Sequence, residues 1–161
     1  MKRFIALYLL FLGGLFIFFY APTSAISLFI NELQTKLTLD TLTFFLKPEQ
    51  IKGVDIWVNP QYKIMITKAC NGMIPILFLY ASILAYPATF MHKVLWIVLG
   101  YIVFFIVNIA RILWVVYITE HGEGHGDFYW SHDLIGNLLL IAVGLGLFIG
   151  FIRSSNRSIK N

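Results

Sequence analysis

Apolar residues fill this chain in four long blocks, at about residues 4–21, 72–90, 94–118 and 132–152, with the polar residues gathered between them. Each block approaches the roughly 20 residues that a helix needs to cross a hydrocarbon layer about 30 Å thick. The pattern predicts an all-α membrane protein of about four transmembrane helices, forming one integral domain over residues 1–161. The first block follows Lys2-Arg3 and stops at Pro22. The small residues Thr23-Ser24-Ala25 behind it suit a cleavage site. The run exceeds the roughly 7–15 apolar residues of a signal-peptide core, however, and reads as a retained anchor. Only Met91-His92-Lys93 separates the second block from the third, which predicts a tight antiparallel hairpin of helices.

The segment between the first two spans, residues 22–69, has two textures. Ile26, Phe29, Ile30, Leu33, Leu37 and Phe44 recur at helical spacing among polar residues, the pattern of a helix lying in the membrane interface. Val54, Ile56 and Val58, then Tyr62, Ile64 and Ile66, alternate with polar residues around Asn59-Pro60-Gln61, the pattern of a short β-hairpin. The second strand of that hairpin leads directly to Cys70 and the next span.

Composition agrees with the pattern, since 59% of the residues are hydrophobic and 12% charged, far from a soluble domain's balance. Charge then orients the helices. With the amino end in the cytoplasm, the cytoplasmic segments hold Lys2, Arg3, Lys93, Arg153, Arg157 and Lys160 and no acidic residue. Glu32, Asp40, Glu49, Asp55, Glu120, Glu123, Asp127 and Asp133 all fall on the outer side, in the long segment, the 119–131 loop and the start of the last span. An even number of spans returns both termini to the cytoplasm. The net charge of +4 needs only anionic lipid as its counterpart, so no nucleic-acid partner is expected.

Arg111 and Asn108 lie one turn apart inside the third span, where an arginine costs at least about 2.5 kcal/mol of insertion free energy. Snorkelling to the outer interface is one account of Arg111; a protein interior or wet cavity shared with Asn108 is the other. Cys70, the only cysteine, precedes the second span by one or two residues, where a helix amino terminus favours a thiolate. His132 opens the fourth span behind Ser131, with Asp133 in its first turn and Gly136 one turn on. The glycine-rich stretch from Glu120 to Asp127 holds His121 and His125 and reads as a solvated loop, so neither a metal nor another cofactor is expected. The orientation puts thiol, guanidinium and imidazole on one side of the membrane at one depth. Those groups are the nucleophile, the fixed positive charge and the proton acceptor that acyl transfer requires. A small membrane scaffold with an inert Cys70, or a metallohydrolase using His121, His125 and His132, are the competing readings.

At Ala69-Cys70-Asn71-Gly72, Asn108-Ile109-Ala110-Arg111 and His132-Asp133-Leu134-Ile135-Gly136 the sequence resembles the exosortase/archaeosortase family of membrane transpeptidases. The resemblance implies that Cys70 is the nucleophile and that Arg111 and His132 complete the active site, supported by Asn71, Gly72, Asn108, Asp133 and Gly136. It also implies the substrates: exported proteins whose carboxyl end carries a short motif, a membrane helix and a basic tail, cut on the outer face of the cytoplasmic membrane. The chain is short for that family, whose larger members carry additional amino-terminal spans.

Overall fold

The computed structural model describes residues 2–59, 62–66, 71–121 and 136–158. Among the described residues, five α-helices and a small sheet follow in the order α1 Lys2–Phe19, α2 Ala25–Leu42, β1 Ile51–Lys52, β2 Asp55–Asn59, β3 Tyr62–Met65, α3 Met73–Ala85, α4 Phe90–His121 and α5 Gly136–Ser158. Helices α1, α4 and α5 are long and apolar enough to cross a membrane. Helix α3 has 13 residues, about 20 Å at 1.5 Å per residue, shorter than the roughly 30 Å hydrocarbon. Of the about four spans expected, three helices among the described residues have the required length, and the second expected span holds only a shorter apolar helix.

None of α1 is buried, as suits a helix that is apolar on every side. Pro22 cannot continue it. The Ser24 hydroxyl joins α1 to α2, donating to Phe18 O at 2.7 Å and accepting from Ser27 N–H at 3.3 Å as the α2 amino-terminal cap.

Helix α2 has the anticipated apolar period, but its faces are used in reverse of a soluble helix. Ile26, Phe29, Leu33 and Leu37 are exposed, whereas Ser27, Gln34, Thr35 and Thr38 are buried against the rest of the chain. An apolar outer face and a polar inner one is the arrangement expected where the surrounding solvent is lipid.

The expected hairpin is present as β2 and β3, and β1 adds a third antiparallel strand in the order β1-β2-β3. Gly53, at φ 66°, lies in the tight turn from β1 to β2, a backbone conformation that favours glycine. The two-residue β1 is too short to show an alternation in the sequence. Ile56 pairs with Ile64, and both are buried with Val58 and Ile66. On the other face Trp57 pairs with Lys63, whose Nζ reaches Asp55 Oδ2 at 2.6 Å.

Helix α3 ends at Ala85 because Tyr86 must be extended ahead of Pro87, and its ψ is 139°. The turn therefore lies at residues 86–89. Met91-His92-Lys93, expected to be the connector, forms the first turn of α4, and Lys93 Nζ donates back to Leu84 O at 2.8 Å, closing the end of α3.

Helix α4, 32 residues long or about 48 Å, is the spine of the molecule. Its lower part packs Phe104 against Ile76, Leu79 and Ile83 of α3 and Leu140 and Phe151 of α5. Its upper part packs Ile109, Ile112, Val115 and Val116 against Leu42 of α2 and the inner face of the sheet. Asn108 and Arg111 sit where one core gives way to the other.

Candidate active site

The site grows from the turn that leads into α3. Gly72 holds φ 67° ahead of the first helical residue, a left-handed conformation that lets the chain swing from Asn71 into α3. Asn71 is 1% exposed and tied down by α2. Its Nδ2 donates to Asn31 Oδ1 at 2.9 Å and to Thr35 Oγ1 at 2.8 Å, and Gln34 Nε2 donates to the Asn71 backbone carbonyl at 2.6 Å. Buried polar groups demand such partners, and here three α2 side chains on one face supply them. Asn71 Oδ1 is also buried and accepts no hydrogen bond from the described residues.

Asn108 and Arg111 of α4 are 3% and 4% exposed. Arg111 Nη1 donates to Asn108 Oδ1 at 3.3 Å, and a Cβ on Gly72 would lie 3.5 Å from that same Asn108 amide. The arginine is thus inside the protein, which answers the choice between snorkelling and an interior position. Its stem crosses the first residue of α5: a Cβ on Gly136 would fall on Arg111 Nε and lie 2.9 Å from Cδ. Only glycine leaves that passage open.

The structure therefore brings together Asn71, Gly72, Asn108, Arg111 and Gly136, which the sequence distributes over 66 positions (136 − 71 + 1). Cys70, His132 and Asp133, together with His125, lie outside the described residues. Among the described residues no cluster of His, Cys, Asp or Glu is arranged to hold a metal ion. The residues that sequence reasoning missed are Asn31, Gln34 and Thr35. Their signal was present as a polar stripe at positions 31, 34, 35 and 38, the spacing of one helical face.

A second polar cluster lies far down α4. There Ser154 Oγ of α5 meets His92 Nε2 at 3.0 Å and accepts from Trp96 Nε1 at 3.1 Å. His92 is 19 positions before Arg111 (111 − 92), about 28 Å along the helix, so this cluster fastens α5 to α4 at the opposite end from the site.

A family model described as transmembrane exosortase matches residues 3–150 of the chain. No curated protein and no solved structure gives a match.

Proposed function

This chain belongs to the transmembrane exosortase family, and from that premise we propose that it is a membrane-embedded cysteine transpeptidase that cuts the carboxyl-terminal sorting tail of exported proteins. The observation that carries the reading is the convergence of α3, α4 and α5 on one buried point, where Asn71-Gly72, Asn108-Arg111 and Gly136 meet. Cys70 is covalently next to Asn71, about 3.8 Å between Cα atoms, and His132 is four residues ahead of Gly136, within about 14 Å of extended chain.

In this mechanism His132 takes the Cys70 proton and the thiolate attacks the carbonyl carbon of the scissile peptide bond. Arg111 faces the oxyanion, or fixes a substrate carboxylate, with a charge that does not titrate. The C–N bond breaks as His132 returns the proton to the departing amine, leaving a thioester on Cys70. An acceptor amine, or water, then releases the acyl group and restores the thiol.

Depth fits this chemistry. From Phe90 to Arg111, α4 climbs about 32 Å, close to the full thickness of the hydrocarbon. Arg111 thus stands near the outer boundary if Lys93 marks the inner one. Segment 72–89 runs antiparallel to α4, with Gly72 beside Asn108 and Leu79 beside Gly100. It therefore covers the height between Phe90 and Asn108, about 27 Å, which supports a fourth crossing despite the short helix. Four crossings leave both termini in the cytoplasm of a cell whose cytoplasmic membrane carries the active site on its outer face. A substrate anchored by its own membrane helix would present the bond just beyond that helix at this depth.

Cys70 is the only cysteine, so thiol labelling reports on it alone. A membrane-impermeant maleimide added to intact cells is expected to modify the protein from outside, faster as pH rises toward the ordinary thiol range near about 8.5. Absence of labelling at every pH would contradict the reading and favour a scaffold with a buried, inert thiol.

A further inference from the structure

Beside the site, α2 and the sheet enclose a cleft of about 510 Å³. One wall is the α2 flank bearing Asn31, Glu32, Thr35, Lys36 and Asp40; the other is the sheet end at Ile51, Val54 and Ile66. Both walls involve residues close to Cys70 in the sequence. Asn31 and Thr35 hold the Asn71 side chain, the residue after Cys70, and Ile66, just past β3, is four residues before it. The cleft is thus tied to residues 66 and 71, which flank Cys70 in the sequence.

We propose that this cleft binds the substrate segment immediately preceding the scissile bond, as an extended peptide. The inference rests on the transpeptidase reading and adds where recognition occurs. Three observations support it. First, the substrate's membrane helix follows the bond, so the preceding residues lie on the outer side, where α2 and the sheet cover the upper part of α4. Second, the size suits a short motif: from Asn31 to Thr43 the α2 wall is about 18 Å long, the span of five or six extended residues at about 3.3 Å each. Third, the lining offers two kinds of purchase. Leu39 and Val54 present apolar surface, with the buried Ile66 behind, while Lys36 lies one helical turn from Glu32 and from Asp40 on the exposed α2 flank. An extended peptide, whose side chains alternate in direction, meets both at once. The other flank of α2 differs: Ile30, Leu33 and Leu37 line an apolar pocket against α1, α3 and α4, suited to lipid chains.

Photocrosslinking in intact membranes tests the assignment. The probe is an epitope-tagged exported precursor from the same genome that ends in a short motif, a membrane helix and a basic tail. It is co-expressed with full-length Cys70→Ala protein carrying a photoreactive residue at position 36, 54 or 37. Capture at Lys36 and Val54, about tenfold above capture at Leu37, is expected. Capture at Leu37 equal to or above that at the cleft positions would overturn the proposal, as would none at Lys36 and Val54 from a precursor whose processing requires Cys70. Normal processing by the Cys70→Ala protein would instead remove the transpeptidase reading, and this proposal with it. In the otherwise native chain, Val54→Trp should fill the cleft and slow processing while Leu37→Trp does not; equal rates for the two would also overturn it.

Discussion

Gly136 and Arg111 form the tightest constraint in the site, because a single methyl group at the head of α5 would occupy the path of the arginine stem. Gly136→Ala is expected to displace the guanidinium from Asn108 and abolish precursor processing while the protein still accumulates in the membrane. Gly146→Ala is the control, since a Cβ there meets nothing within 4 Å. Normal processing by Gly136→Ala would show that the position of Arg111 is unimportant. Arg111→Lys should fail as well, because an ammonium keeps the charge but lacks the planar fork that directs two hydrogen bonds at once. A scaffold pairing Arg111 with a partner's carboxylate would tolerate that change. His132→Ala should process slowly and recover as pH rises, because a thiol without its base must ionise unaided and its thiolate fraction grows with pH below its pKa. A pH-independent residual rate would argue against His132 as the base. That Arg111 needs either a protein interior or a reach to the interface was legible in the sequence from its insertion cost, and burial at 4% exposure decides between the two. The close fit at Gly136 was not legible, because it depends on how α4 and α5 approach each other.

At the scale of elements, α2 carries the clearest lesson. Its period was visible in the sequence, but period locates faces without saying which solvent each will meet. The apolar face looks outward, and the polar stripe anchors the chain beside Cys70 through Gln34. Replacing Gln34 with Leu keeps size and helix propensity but leaves the Asn71 carbonyl buried without this donor, at a cost of about 1–3 kcal/mol. That loss should fall on the positioning of the turn: processing slows several-fold, and the protein level measured by blot changes little. An unchanged processing rate would show that α2 does not position the turn. The α3–α4 connection illustrates a different limit. Polarity suggested Met91-His92-Lys93 as the break, whereas Pro87 set it; Lys93 could be drawn into α4 because its side chain reaches back to the end of α3.

Over the whole molecule, α4 carries two hydrophobic cores stacked end to end, one with α3 and α5 and one with α2 and the sheet. Asn71, Asn108 and Arg111 lie at their junction. The sequence carried the order of those motifs and the membrane setting, since both depend on local runs of residues. The junction depends on contacts such as Gln34 to Asn71, across 37 positions, and no local pattern encodes them. Such an arrangement separates the core formed with α3 and α5 from the layer formed by α2 and the sheet, with Asn108 and Arg111 between them. The proposed transpeptidase would hold its substrate's tail beside the first and read the preceding segment against the second. Removing the thiol tests that claim most directly. Cys70→Ala should yield a protein present in the membrane at normal level while the uncut precursor accumulates, followed by gel shift of an epitope-tagged substrate in cells. Normal conversion of that precursor by a well-expressed Cys70→Ala protein would contradict the account.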